Sequence, residues 1–310
     1  LSSSSAASDV YKRQDLDIVL KTLTWKVVNE RMKEDKGKYD KRNKLNNLTG
    51  KEWLKLTKSF WESEKSAQDK FAFNHPAPYL VKDTEKLISM FTKKKAVVLD
   101  PFSGVGTTSV AADNIGRSSI GIDLNEEYIQ LTKKRFKENN ILLKNHKLIH
   151  GDSLKVIRRL KDKIDYCVTS PPYHNILRNK GNGIRKESES HRQGPRTGVE
   201  YYSENENDLG NQESFDDYIN LLNNMLKLTR NILKKDKYLS IVISDFTVNK
   251  KEVNVLGKVI DTAIDAGFEY CGTIALLQNS KSLYPFGYPY AYKINHHHQS
   301  ILNFRNSSRE

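Results

Sequence analysis

Residues 97–112 read VVLDPFSGVGTTSVAA: a short β-branched run ending on Asp100, a turn through Gly104 and Gly106, then a helix-forming stretch. That order is the opening of a strand-turn-helix unit, because glycines let the chain reverse tightly and leave the first N–H groups of the new helix open to a ligand. The dinucleotide fingerprint asks for a third glycine where this chain carries Ser109, and no Gly-Lys-Ser/Thr follows to make a P-loop. The turn therefore argues against NAD, FAD and P-loop nucleotides, while keeping a small-molecule crevice at the end of the strand.

Outward from this turn the pattern repeats. AVVLD (96–100), SSIGID (118–123), KLIH (147–150), DYCVT (165–169) and YLSIVIS (238–244) are short β-rich runs, and the first four start 18 to 29 residues apart with helical patterns between several of them. Such alternation predicts an α/β fold: a doubly wound, mostly parallel, seven-stranded Rossmann-like sheet, completed by runs at 270–275 and 300–304. Ahead of it, Lys- and Asn-rich sequence predicts an N-terminal helical region over 15–70. Its clearest helix lies in NLTGKEWLKLTKSFW (47–61), capped by Thr49 or Asn47, with Trp53, Leu54, Leu56 and Trp61 on an apolar face. The low-complexity stretch 1–14 is expected to be a leader foreign to the fold. Between Tyr173 and Phe215 regular patterning stops, which marks either a functional loop or a solvated, disordered insert.

The 310 residues with 37 % hydrophobic content fit one substantial core, and 51 Lys and Arg against 38 Asp and Glu leave a net charge of +13. That surplus suits a polyanion, although Lys- and Asn-rich coding bias produces it as well. Cys167 and Cys271 both sit in apolar strand runs, where buried reduced thiols are expected. No apolar run reaches the length of a membrane span, and a cytoplasmic location is expected.

Two acids follow the glycine turn at the ends of the next two strands. Asp123 stands where a carboxylate can accept from both ribose hydroxyls of a nucleoside, and Asp152, in HGDSL, where it can accept from an adenine amino group. Each alone fits a helix cap equally well; three acids, counting Asp100, at consecutive strand ends point to a cofactor site. The most specific string is VTSPPYHNIL (168–177), directly after the fourth strand. Pro171 and Pro172 cannot extend a central strand and hold a fixed turn at the crevice.

These motifs resemble the amino-methylating DNA methyltransferases that act on cytosine N4 or adenine N6, and the likeness runs from about Asp40 to Arg305. The resemblance implies S-adenosylmethionine as cofactor and a methyltransferase domain over 71–305, and it leaves two places for target recognition: the 174–215 insert and the Lys-rich N-terminal helical region. DPFSGVGTT (100–108) looks like the family's cofactor motif, which brings in Asp100, Phe102, Gly104, Gly106, Thr107 and Thr108. FNHPAPYL (73–80) resembles the motif that closes over the methionine end, with His75, Pro76 and Tyr79 at matching positions, although HPAP also reads as a rigid turn before a helix. Thr169-Ser170-Pro171-Pro172-Tyr173 is similar to the cytosine N4 type, whereas the adenine N6 type carries Asp in place of Ser.

An exocyclic amino group is a poor nucleophile because its lone pair is delocalised into the ring. Hydrogen bonds from its N–H groups to Ser170 and the Pro171 carbonyl would draw it toward sp³ geometry, and Tyr173 would stack on a base swung out of the duplex. A buried structural tyrosine is the alternative for Tyr173. Arg178, Lys180, Arg185, Lys186, Arg192 and Arg196 in the insert suit DNA phosphates and guanine edges; the resemblance admits a restriction endonuclease counterpart, which the sequence itself leaves open. Lys235-Asp236-Lys237 replaces the family's Pro-Gly-Gly, so a looser turn is expected there. Phe286, Tyr288 and Tyr290 read equally as core or as DNA contacts. His296, His297 and His298 are adjacent on a strand and cannot converge on one ion, so no metal is expected.

Overall fold

The computed structural model describes residues 37–74, 79–161, 163–174, 203, 205–248 and 251–307. Ten strands alternate with helices: β1 (Phe60–Glu62), β2 (Val97–Asp100), β3 (Ser118–Asp123), β4 (His146–His150), β5 (Ile164–Thr169), β6 (Leu233–Ile243), β7 (Phe246–Val248), β8 (Lys251–Val253), β9 (Glu269–Leu277) and β10 (His298–Arg305). The helices are α1 (Gly50–Leu56), α2 (Val81–Phe91), α3 (Thr107–Asn114), α4 (Glu126–Glu138), α5 (Ser153–Arg159), α6 (Phe215–Ile232) and α7 (Val255–Asp265). Eight strands form one sheet in the order β1-β9-β10-β6-β5-β2-β3-β4, and β7 and β8 make a separate hairpin. Only β10 runs against its neighbours, so the other seven strands end on one edge of the sheet.

Alternation along the central strands builds a core on each face. Leu99, Cys167, Leu239 and Ile241 point into a cluster completed by α5, α6 and α7, while Val98, Tyr166, Val168 and Val242 point into one completed by α2, α3 and α4. The doubly wound reading therefore holds. In α6 the buried positions Tyr218, Leu222, Met225, Leu226 and Thr229 follow helical spacing, and Ser214 with Asp217 closes a capping box at its start.

Four expectations change. The sheet has eight strands rather than seven, because β1 adds a parallel edge strand beside β9. Trp61 lies on β1 and not on the predicted helix; it is buried, and its Nε1 donates to Leu56 O at 3.0 Å, while Trp53 and Leu56 pack on its cluster and Leu54 is 71 % exposed. Thr49 caps α1 in a capping box as the sequence suggests, but the helix spans only 7 residues. Cys271 is exposed, because among the described residues no layer covers the first half of β9. The Lys235-Asp236-Lys237 turn is pinned rather than loose: Asp236 takes a left-handed φ of 62°, its N–H donates to Asn306 O at 2.9 Å and its carboxylate accepts from Arg305 at 2.9 Å.

Candidate active site at the strand ends

The end of β2 is organised around one buried carboxylate. Asp100 accepts from Tyr79 Oη at 2.6 Å, from Thr169 Oγ1 at 2.7 Å, from Phe102 N at 3.1 Å and from Thr108 Oγ1. Burial pushes its carboxyl above the ordinary value, and the four donors oppose that rise. Asp100 thus ties together the segment entering α2, the start of α3 and the last residue of β5. Tyr79, Thr107 and Thr108 are likewise buried, and Tyr79 also bonds Thr108. Phe102 is half-buried against the core.

The glycine turn leaves β2 with left-handed φ of 48° at Gly104 and 77° at Gly106. Gly106 is required twice over: a Cβ there would sit 2.3 Å from Thr132 Cγ2 on α4. Asp123, at the end of β3, accepts from Gly104 N at 2.7 Å and Asn125 N at 2.9 Å, so one carboxylate braces both the turn and the start of α4. Desolvation raises its pKa to about 7, with the neighbouring charges of Asp100 and Asp208 adding to the rise and the two backbone N–H groups working against it.

Arg135 holds the same turn from behind, a role sequence reading missed. This buried guanidinium on α4 donates to Val105 O and Thr107 Oγ1, both at 3.0 Å, and to Gln68 O at 2.8 Å. It joins the glycine turn to the 3-10 stretch Ala67–Asn74 that leads toward residues 75–79. Its spacing from other motifs carries no signal; only an arginine on the helix after an Asp-ended strand hints at it. Asp69, also buried, accepts from Val81 N at 2.9 Å and closes the neck of that segment.

Beyond β5, Ser170 is half-buried, and its hydroxyl has no hydrogen-bond partner among the described residues. Pro171 is buried and Pro172 half-buried. Tyr173 is 8 % exposed; its ring stacks on Phe246 with centroids 5.3 Å apart, and its hydroxyl accepts from Gln299 Nε2 at 3.1 Å. His174 Nε2 lies 2.9 Å from Gln212 O, which pins the two ends of the 174–215 insert together. Asp152 caps α5 by accepting from Leu154 N at 2.9 Å and remains partly open at the end of β4.

His75, Pro76, Arg178, Lys180, Arg185, Lys186, Arg192 and Arg196 lie outside the described residues. Among the described residues no group of His, Cys, Asp and Glu could hold a metal ion, and no helix is long and apolar enough to cross a membrane. Ser119, His146 and Asp113 line up at 2.8 and 3.1 Å like a nucleophile triad, but Ser119 is buried and donates to Ser109 Oγ, so this is interior bracing.

A family profile described as DNA methylase matches residues 6–134 and 164–310, nearly the whole chain, and one described as RNA cap guanine-N2 methyltransferase matches 95–177. Among curated proteins, the chain is 33 % identical over 120 residues to the Type II methyltransferase M2.DpnII of Streptococcus pneumoniae, covering 38 % of this chain and 42 % of that one. It is 38 % identical over 85 residues to the Type II methyltransferase M2.LlaDCHI of Lactococcus lactis subsp. cremoris, covering 27 % and 32 %. The matches span less than half the length of these relatives. Superposed on TrmN from Thermus thermophilus, 78 % of this chain and 54 % of that one align with a TM-score of 0.48 at 12 % identity.

Proposed function

The chain belongs to the DNA methylase family and takes S-adenosylmethionine as its cofactor; from that premise we propose that it methylates the exocyclic amino nitrogen of a DNA base, cytosine N4 in particular. The observation that carries the base assignment is the side chain at position 170: a hydroxyl without a partner among the described residues, where a carboxylate is typical of the adenine N6 type.

The crevice suits the cofactor. Asp123 meets one backbone N–H on each oxygen, which leaves acceptor capacity for a ribose diol, and Gly104 and Gly106 keep side chains out of the way. Asp152 would accept from the adenine amino group, while His75, Pro76 and Tyr79 would close the methionine end. Asp100, Thr107 and Thr108 keep the turn in shape, and Phe102 lines it. When bound, the cofactor supplies an electrophilic methyl group on a sulfonium.

The protein's own task is to present the amino nitrogen. Its two N–H groups would donate to Ser170 Oγ and the Pro171 carbonyl, returning the lone pair to nitrogen, and Tyr173 would stack on the swung-out base with its ring oriented by Phe246 and Gln299. Thr169, fastened to Asp100, fixes Ser170 relative to the glycine turn. The insert arginines and lysines are assigned to DNA phosphates and guanine edges, and a restriction endonuclease of the same target sequence is the proposed partner in the cell. The names of M2.DpnII and M2.LlaDCHI as Type II methyltransferases support that setting. A second reading, amino methylation of RNA, draws on the guanine-N2 profile over 95–177.

The test is nucleoside mass analysis of DNA and RNA from cells expressing the full chain. N4-methylcytosine in DNA is the expected product; N6-methyladenine alone would overturn the base assignment, and no modified nucleoside in either polymer would overturn the enzyme reading. Ser170→Ala should lower turnover by about 10²-fold, the scale of one lost polar contact at a reacting centre, while calorimetric cofactor affinity stays the same.

A further inference from the structure

The connection between β9 and β10 keeps its aromatic rings in water. Tyr288, Tyr290 and Tyr292 are 80 %, 95 % and 90 % exposed, whereas most other large apolar groups among the described residues are buried or half-buried. These rings are presented and not trailing. Gly287 holds a left-handed φ of 76°, where a Cβ would meet Ala291 O at 2.3 Å. Its carbonyl accepts from Tyr290 N at 2.8 Å and Ala291 N at 2.7 Å, and the Asn295 side chain bonds both the N–H and the carbonyl of Tyr284 at 3.0 and 2.8 Å.

Position and charge say what would cover them. Strand β9 runs parallel to β6 across the intervening β10, so its carboxyl end opens on the edge that carries Asp100, Asp123 and Ser170. The foot of the loop is wired to the catalytic turn, since Gln278 Nε2 donates to Gln299 Oε1 at 2.9 Å and Gln299 Nε2 donates to Tyr173 Oη at 3.1 Å. Between Gln278 and His297 the loop holds no Asp or Glu of its own, while Lys281 and Lys293 flank its rings; Glu252 meets its His296 at 3.4 Å. Flat rings flanked by cationic side chains, on a loop that carries no acid of its own, match a polyanion that also offers π-faces.

Resting on the reading of the chain as a DNA methylase, we propose that Tyr288, Tyr290 and Tyr292 form a platform on which unpaired bases of the DNA strand stack beside the target nucleotide. Each ring would take a base face and Lys281 and Lys293 would meet the backbone phosphates. Stacking of this kind tolerates any base, so the platform adds affinity for opened DNA without adding sequence preference.

Fluorescence anisotropy with a labelled single-stranded oligonucleotide and its duplex tests this, using wild type, the Tyr288→Ala/Tyr290→Ala/Tyr292→Ala variant and the matching Tyr→Phe triple variant. Single-strand affinity should fall at least tenfold in the alanine variant and stay within about threefold in the phenylalanine variant, because the ring and not the hydroxyl stacks. The slope of affinity against salt should be unchanged, as no phosphate contact is removed. Calorimetric cofactor binding should be equal in all three, which excludes misfolding. Equal single-strand binding by the alanine variant, equal losses in both variants, or a loss confined to the duplex overturns the platform while DNA methylation by wild type still stands. Wild type that neither binds nor methylates DNA overturns the methylase reading, and the platform with it.

Discussion

Replacing Gly106 by Ala tests whether the glycine turn is shaped by α4 behind it. The new methyl carbon would sit 2.3 Å from Thr132 Cγ2 and 2.9 Å from its Oγ1, at a φ of +77°. Thr132 is fully buried and its hydroxyl donates to Tyr128 O at 2.8 Å, so it has little room to retreat. The left-handed backbone costs a non-glycine residue about 1–2 kcal/mol, and forcing one carbon into a packed interior costs about 1–3 kcal/mol. Together they predict a loss of about 2–5 kcal/mol in urea unfolding, with the midpoint moved and the slope kept. Thr132→Ala removes the two nearest crowding atoms and keeps its Cβ at 3.1 Å, so in the double variant most of the steric part should return as a coupling of about 1–3 kcal/mol, leaving the backbone part. Cofactor affinity should follow the same order, weakest in Gly106→Ala and partly recovered in the double variant. A coupling of zero, or a Gly106→Ala loss below about 0.5 kcal/mol, would refute the argument that α4 sets the turn.

Asp123 makes binding pH-dependent. Its folded-state pKa of about 7 exceeds the ordinary 3.8, so its contribution to the stability of the cofactor-free protein is full below about pH 4 and is lost as pH rises through 7. Ribose hydroxyls donate best to the ionised form, so cofactor affinity should rise over the same window; Asp123→Asn should flatten both titrations, followed by thermal melts and calorimetry. Arg135→Lys should weaken cofactor binding and lower stability by about 2–4 kcal/mol, because a single ammonium cannot span the three acceptors that the guanidinium reaches; wild-type values in that variant would dismiss its positioning role. Charge reversal at Arg185 and Lys186 should weaken duplex binding and flatten its salt dependence without touching cofactor affinity; an unaltered slope moves the DNA surface elsewhere.

Several parts of the site are legible in the sequence because their determinants are local. The bounds 118–123 of β3 coincide with its apolar run, Asp100 and Asp123 fall on strand ends, and the Ser170-Pro171-Pro172 turn follows β5 because proline ends a ladder. The exposed tyrosines were ambiguous, since an aromatic near a strand has the same sequence whether it packs inward or faces water. Cys271 and Trp61 were misplaced for a related reason: which residues a layer covers depends on neighbours that are distant in the chain.

The sequence by itself therefore determined the alternation of strands and helices, the glycine turn, the absence of a dinucleotide or P-loop fingerprint and the positions of the crevice acids, all governed by side-chain period and turn chemistry over a few residues. Tertiary structure alone decided that β1 joins the sheet beside β9, that Asp100 gathers Tyr79, Thr108 and Thr169, that Arg135 grips the turn at Val105, and that Gln299 connects the aromatic loop to Tyr173. Those hydrogen bonds join residues from 8 to 126 positions apart, and a buried polar group takes whichever partner the packed sheet brings within reach, which no local pattern encodes.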